Sequence, residues 1–237
     1  MSIKDRIHHV QMTIAQATSR AGRETDAVNV IGVTKYVSVA RTVEAVEAGV
    51  LHLGENRWQI AKDKWDYIHE HTGAGQASPT WHFIGSLQRN KVKDIVGKFQ
   101  YIHSLDRLSL AKAIHEQAEK LDTTVKCFIQ VNVSGEQSKQ GMSAAEVSLF
   151  LEGLKEYPRI LPIGLMTMAP LELEKEETRF VFRQLRELRD DLIAKGNGKC
   201  TVTELSMGMS NDYEIAIEEG ATFVRLGTIL IGTEEDE

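Results

Sequence analysis

The sequence predicts an α/β fold, a single (β/α)8 TIM-type barrel with an extra helix at its N-terminus. Three observations lead there. Short β-branched apolar runs alternate with longer stretches of helical periodicity, the βαβα order that builds a parallel sheet. Eight such runs can be counted, and 237 residues suit eight βα units. No Gly-, Ser- or Pro-rich linker divides the chain, so residues 1–237 read as one domain. A doubly wound open sheet is the rival architecture, and the strand count favours the closed barrel.

The elements follow in order. Residues 3–21 read as a helix ending near Gly22, and 28–33 as a buried strand rich in β-branched residues. Ser38 caps the next helix, to about Ala48, with Gly49 closing it. Strand two is 51–54, and a helix covers 57–70. Residues 72–79 read as one loop. Strand three is 81–84, followed by a helix at 91–96, and strand four is 101–103. Asp106 caps a helix with Leu108, Ala111, Ile114, Ala118 and Leu121 on one stripe. Residues 125–133 are the strongest strand signal, and Ser143 opens the helix after them. Strand six is 160–166. A long helix over 174–194 presents Phe180, Val181, Leu185, Leu188 and Leu192. Strand seven is 202–205. Asn211 or Asp212 caps a short helix to Glu219, and strand eight is 222–226.

Composition narrows the function classes. A formal net charge of -6 argues against a nucleic-acid partner, which needs an excess of Lys and Arg. Cys127 and Cys200 sit in no metal-ligand spacing and read as reduced thiols of a cytoplasmic protein. Neither a signal-peptide run nor a membrane-spanning stretch is visible, and the acidic tail 234–237 reads as a solvated end. Zinc-protease, Walker A, dinucleotide-binding and nucleophile-elbow motifs are all missing from the sequence.

In a barrel of this kind chemistry sits just beyond the C-terminal strand ends. Lys35 follows the first apolar strand there, where desolvation favours the neutral, imine-forming amine, unless its charge simply reaches solvent at the rim. The segment from Ser206 to Asp212 combines Gly208, the Ser210 hydroxyl and a helix start, and Gly227-Thr228 forms a second small-residue loop after strand eight. Loops at these two strands suit an anion, although turns also use Gly and Ser. Arg225 lies among apolar neighbours, either paired with a carboxylate or aimed at a ligand. His82 and Asn56 lie near strand ends, His82 equally as a hydrogen-bonded core residue. Asn132 and Ser134 read as turn residues, and Met166 and Met168 as core or pocket wall.

Seven phrases in order resemble the pyridoxal phosphate homeostasis protein family, the single-domain relatives of the alanine racemase N-terminal barrel. They are Val33-Thr34-Lys35, Gly54-Glu55-Asn56, Trp81-His82-Phe83-Ile84-Gly85, Leu87-Gln88-x-Asn90-Lys91, Gly164-Leu165-Met166, Ser206-Met207-Gly208-Met209-Ser210 and Val224-Arg225-Leu226-Gly227-Thr228. The resemblance covers about residues 1–232. It implies that Lys35 forms the internal aldimine with pyridoxal 5'-phosphate. It further implies that Ser210, Gly227 and Thr228 hold the phosphate, that Arg225 faces the pyridine nitrogen, and that Asn56 and His82 lie near the ring. Lys139 matches a surface lysine of the family with a suggested secondary role in handling the cofactor. One departure is Ile231 before Gly232, where the family usually carries an aromatic.

The resemblance also implies a carrier and not an enzyme, acting in cytoplasmic homeostasis of the cofactor and indirectly of amino and keto acids. An arginine against the pyridine nitrogen leaves that nitrogen unprotonated and the ring a poorer electron sink. Racemases built on this barrel share the arginine and add a tyrosine from a second domain, for which this chain has no room. Partners would be the cofactor itself and, transiently, apo-enzymes that need it. Two rivals stay open. One is a low-activity amino-acid racemase using Lys35 and His82, and the other a cofactor-free barrel, either an imine-forming aldolase or a phosphosugar binder.

Overall fold

Eight short strands, each too brief to bury itself, solve the problem of their edges by closing on one another. In the computed structural model, which describes residues 1–71, 78–135, 140–170, 172–196 and 201–234, they pair in parallel in chain order and β8 returns to β1. The strands are β1 (Asn29–Val33), β2 (His52–Glu55), β3 (Thr80–Phe83), β4 (Tyr101–Leu105), β5 (Val125–Gln130), β6 (Ile160–Met166), β7 (Glu204–Met209) and β8 (Phe223–Leu226). Between them run α2 (Val39–Glu47), α3 (Trp58–His71), α4 (Val92–Ile95), α5 (Leu108–Lys120), α6 (Val147–Leu154), α7 (Lys175–Lys195) and α8 (Tyr213–Glu218). The extra N-terminal helix, α1 (Ile3–Arg20), packs on α8 and on α9 (Thr228–Ile231), the short helix after β8. The expected TIM barrel is therefore the fold.

Two apolar regions result. The larger lies between the barrel wall and the helices, and includes Leu53, Ile102, Ile114, Phe182, Leu205 and Leu226. The smaller fills the barrel itself, with Ile31, Phe128, Met166 and Phe223, flanked by Tyr101 and Ile163. Ile231, in place of the family's aromatic, is fully buried, and its Cδ1 closes over Gly32 at 3.1 Å from where a Cβ would stand.

Several expectations need correction. β5 ends at Gln130 and not at 133, because Val131 makes only an isolated bridge to Met142 as residues 140–142 fold back. β7 runs four residues beyond the expected 205; its Ser-Met-Gly-Met composition resembles a loop, yet residues 205–208 are buried. Ser38 caps α2 as expected, its Oγ accepting from the Arg41 N–H at 3.1 Å, and Ser143 opens a 3-10 turn into α6 with a reciprocal Glu146 bond. Asp106 caps nothing: Arg107 holds the N-cap position of α5, and the Asp106 carboxylate pairs with the Arg107 guanidinium. Asp212 occupies the N-cap position of α8, but its carboxylate turns back to the Met209 N–H. Phe180 is 56% exposed because it falls outside the stripe α7 buries, and Leu121 48% because α5 ends at Lys120 and Leu121 is its C-cap. Met166 is core, whereas Met168 is largely exposed.

Cys127 is buried in β5, where burial pushes the thiol well up from its ordinary value and leaves it inert. Cys200, Lys139, most of the 72–79 loop and the last three residues of the acidic tail lie outside the described residues. No helix among the described residues is long and apolar enough to cross a membrane.

Candidate functional site

The C-terminal mouth of the barrel gathers the expected residues on neighbouring strands. Thr34, buried, continues β1 by donating its N–H to the Gly54 carbonyl, and the chain then turns through Lys35 and Tyr36 toward α2. Lys35 is partly buried, with its Nζ 4.7 Å from the centre of the exposed Tyr36 ring. A charged cluster lies beneath. Lys64 Nζ, from α3, donates to the Thr34 carbonyl at 2.5 Å and sits 2.8 Å from Glu55 Oε1. The same carboxylate oxygen accepts from the Thr34 hydroxyl at 2.7 Å. Glu55 and Lys64 are both buried, so one ion pair ties the ends of β1 and β2 to α3 at Thr34, the residue before Lys35.

Asn56 follows Glu55, and its buried Oδ1 has no hydrogen-bond partner among the described residues. Its backbone runs so close to the end of β3 that a Cβ at Gly85 would stand 2.2 Å from the Asn56 carbonyl oxygen, which only glycine avoids. Asn56, Arg57, Phe83, Gly85 and Lys91 line a cavity of about 540 Å3 here.

Across the mouth, Gly208 takes φ +92 within a register shift between β7 and β8, and a Cβ there would meet the Ala216 Cβ at 2.6 Å. That bulge delivers Ser210 to a second cavity, of about 430 Å3, which Ser210 lines together with Asp212, Arg179 and Ile229 of α9. The rest of its lining comes mostly from α1, α7 and α8, and neither Lys35, Arg225, Gly227 nor Thr228 lines it. A side chain at Gly227 would touch only Val33, at 3.9 Å, so this loop stands beside the end of β1; Thr228 is exposed at the start of α9.

Arg225 is buried on β8, opposite Ile31 of β1. It donates to Ser206 Oγ at 2.8 Å and to the Thr167 carbonyl at 3.1 Å. Among the described residues no carboxylate lies within ion-pair distance of it. Burial pushes its guanidinium down to about 10, opposed by the charge of Asp212, so it stays a cation at neutral pH.

His82 is placed differently from the rest. It lies inside the barrel, with Nε2 2.9 Å from His52 Nδ1 and Nδ1 3.0 Å from His103 Nε2. His103 Nδ1 is in turn 2.8 Å from Ser206 Oγ. Burial holds His82 and His103 well below the ordinary histidine value, and His52 below it too. Both ring nitrogens of His82 are therefore committed to protein partners, and it reaches the mouth only through this chain.

Sequence reasoning missed Thr34, Lys64, His52, His103 and Ser206 as participants. Signals were present. Lys64 falls on the buried stripe of α3 with Ala61 and Ile68, an unusual place for a lysine. Three successive strands each carry a histidine, at 52, 82 and 103.

A family model described as "Alanine racemase, N-terminal domain" matches residues 9–235. The pyridoxal phosphate homeostasis protein of Aquifex aeolicus is 40% identical over 232 residues, covering 98% of each chain. This chain belongs to the pyridoxal phosphate homeostasis protein family. A second pyridoxal phosphate homeostasis protein, from Pseudomonas aeruginosa, is 36% identical over 99% of this chain and 96% of its own. The structure of PipY from Synechococcus elongatus with PLP bound superposes with a TM-score of 0.80 at 35% identity, over 92% of this chain and all of that one.

Proposed function

We propose that this chain holds pyridoxal phosphate at the β7–β8–β1 mouth, covalently through Nζ of Lys35, and serves cofactor homeostasis with little or no turnover. The observation that carries this reading is the placement of Lys35, Arg225, Ser210 and the Gly227-Thr228 loop at the C-terminal side of the adjacent strands β1, β8 and β7. The residues fit the group. The Ser210 hydroxyl and the backbone N–H groups of Gly227 and Thr228 are donors suited to a phosphate, and the missing side chain at Gly227 leaves room for it. Arg225, a buried cation with donors beyond those used by Ser206 and Thr167, suits a ring nitrogen that accepts. Asn56 Oδ1, buried without a partner, offers an acceptor at the near edge. When bound, pyridoxal phosphate supplies an aldehyde that condenses with an amine, losing water, and an electron-withdrawing ring.

Holding is favoured over turnover by His82. A racemase needs a second group that moves a proton beside the lysine, and His82 has both nitrogens engaged inside the barrel. The names of the relatives point the same way. We place the protein in the cytoplasm, with release to apo-enzymes through transient contact as the outlet.

The test is an absorbance titration with pyridoxal phosphate of the parent and of Lys35→Ala, with L-alanine racemisation followed in parallel. The reading requires a violet-edge band in the parent, its loss in the variant, and no racemisation at ordinary enzymatic rates. A band that survives Lys35→Ala contradicts the anchor, and rapid racemisation contradicts the carrier.

A further inference from the structure

The barrel interior holds a continuous polar chain, His52–His82–His103–Ser206–Arg225, that links five strands from its half-buried end at the start of β2 to the guanidinium on β8. Its proton order can be derived. A guanidinium only donates, so Ser206 Oγ accepts from Arg225. The Ser206 proton then needs an acceptor, and His103 Nδ1 stands 2.8 Å away. His103 must accordingly carry its own proton on Nε2, which donates to His82 Nδ1. By the same rule His82 is protonated on Nε2 and donates to His52 Nδ1. In this order every link has one donor and one acceptor. The reverse order points the His103 N–H at Ser206, where the Arg225 N–H already points, and leaves the serine proton buried without a partner.

From this geometry we infer that His103, backed by His82 and His52, is a positioning residue: by accepting a hydrogen bond from the Ser206 hydroxyl it fixes that oxygen as the acceptor that aims Arg225 at the barrel mouth. The consequence at the ligand rests on the cofactor reading above, whereas the proton order does not. Ring stacking locks the arrangement, since His103 lies on Phe128 with centroids 4.3 Å apart and His82 on Tyr101 at 4.4 Å. An imidazolium at His82 would set N–H against N–H. Burial and the nearby positive charges act against one, with Arg225 facing His103, and Lys126 of β5 facing His82. Apolar Ile31, Phe128 and Phe223 close the remaining sides.

Two experiments test this. In the first, long-range proton–nitrogen NMR of the 15N-labelled protein without cofactor reads the tautomers at neutral pH, signals being assigned with single histidine variants. His82 and His103 should both be neutral and protonated on Nε2; an Nδ1-H tautomer or an imidazolium at either overturns the inference. In the second, pyridoxal phosphate is titrated into the parent, His103→Leu and His103→Asn. Asparagine can return an acceptor near the place of Nδ1, and leucine cannot. Leucine should weaken binding about tenfold, the scale of one hydrogen bond to a charged group, and shift the absorbance band, with asparagine recovering most of both. Leucine binding like the parent, or asparagine no better than leucine, overturns the inference. Should His103→Leu fail to fold, Ser206→Ala takes its place and should show the same weakening and band shift, parental behaviour being the contrary result. A parent that binds no pyridoxal phosphate would sink the cofactor reading and leave the NMR result standing.

Discussion

Lys64 and Glu55 form a buried ion pair whose partners have given up water and hold each other in its place. Removing one partner leaves the other charged and uncompensated. Lys64→Met should therefore cost about 3–5 kcal/mol of stability, and Lys64→Met with Glu55→Gln markedly less, because the second change removes the stranded charge. Urea unfolding measures both, and equal losses in the single and double variants would contradict this assignment. Because the pair grips the Thr34 carbonyl and hydroxyl, the damage should extend to the placement of Lys35. At this scale Lys35, Arg225 and Ser210 were legible as polar residues at apolar strand ends. Lys64 and His103 were not, since their partners are distant in sequence and only barrel closure brings them together.

Gly208 acts on β7 and α8 together. Its φ of +92 disfavours any side chain, and the Ala216 Cβ occupies the space one would take. Gly208→Ala should cost about 1–3 kcal/mol through backbone strain, and should also weaken the proposed phosphate binding by displacing Ser210. Thermal unfolding with and without inorganic phosphate would show it, and an unchanged melting temperature would count against the bulge. Each of the eight strands overlaps a run read from the sequence, though β7 does so only at Glu204 and Leu205, and α1, α2 and α3 could be read from periodicity and caps. The boundaries of β5 and β7 could not. The ladder of β5 ends where residues 140–142 return, and Ser206-Met207-Gly208 is strand only because the closed barrel buries it. Phe180 shows the converse error, an aromatic counted into a helix face that in fact looks outward.

For the whole molecule, the histidine chain makes stability depend on pH. Burial lowers His52, His82 and His103 in the folded state, so as pH falls through about 6.5 the unfolded chain takes up protons that the fold refuses. Stability should be level above pH 7 and fall toward pH 5.5, approaching about 1.4 kcal/mol per pH unit for each of His82 and His103 at the acid end. Asp212, raised by burial, works in the opposite sense at lower pH. Urea midpoints across this window test the prediction, and a flat profile would contradict neutral burial. Closure of the barrel also underlies the central claim, because it sets the ends of β7, β8 and β1 side by side and so brings residues spread from Lys35 to Thr228 to one end of the molecule. The most direct test is borohydride reduction of the protein mixed with pyridoxal phosphate, followed by peptide mass mapping. The account predicts one stoichiometric cofactor adduct on the peptide that contains Lys35. An adduct confined to other lysines, or none, would contradict it.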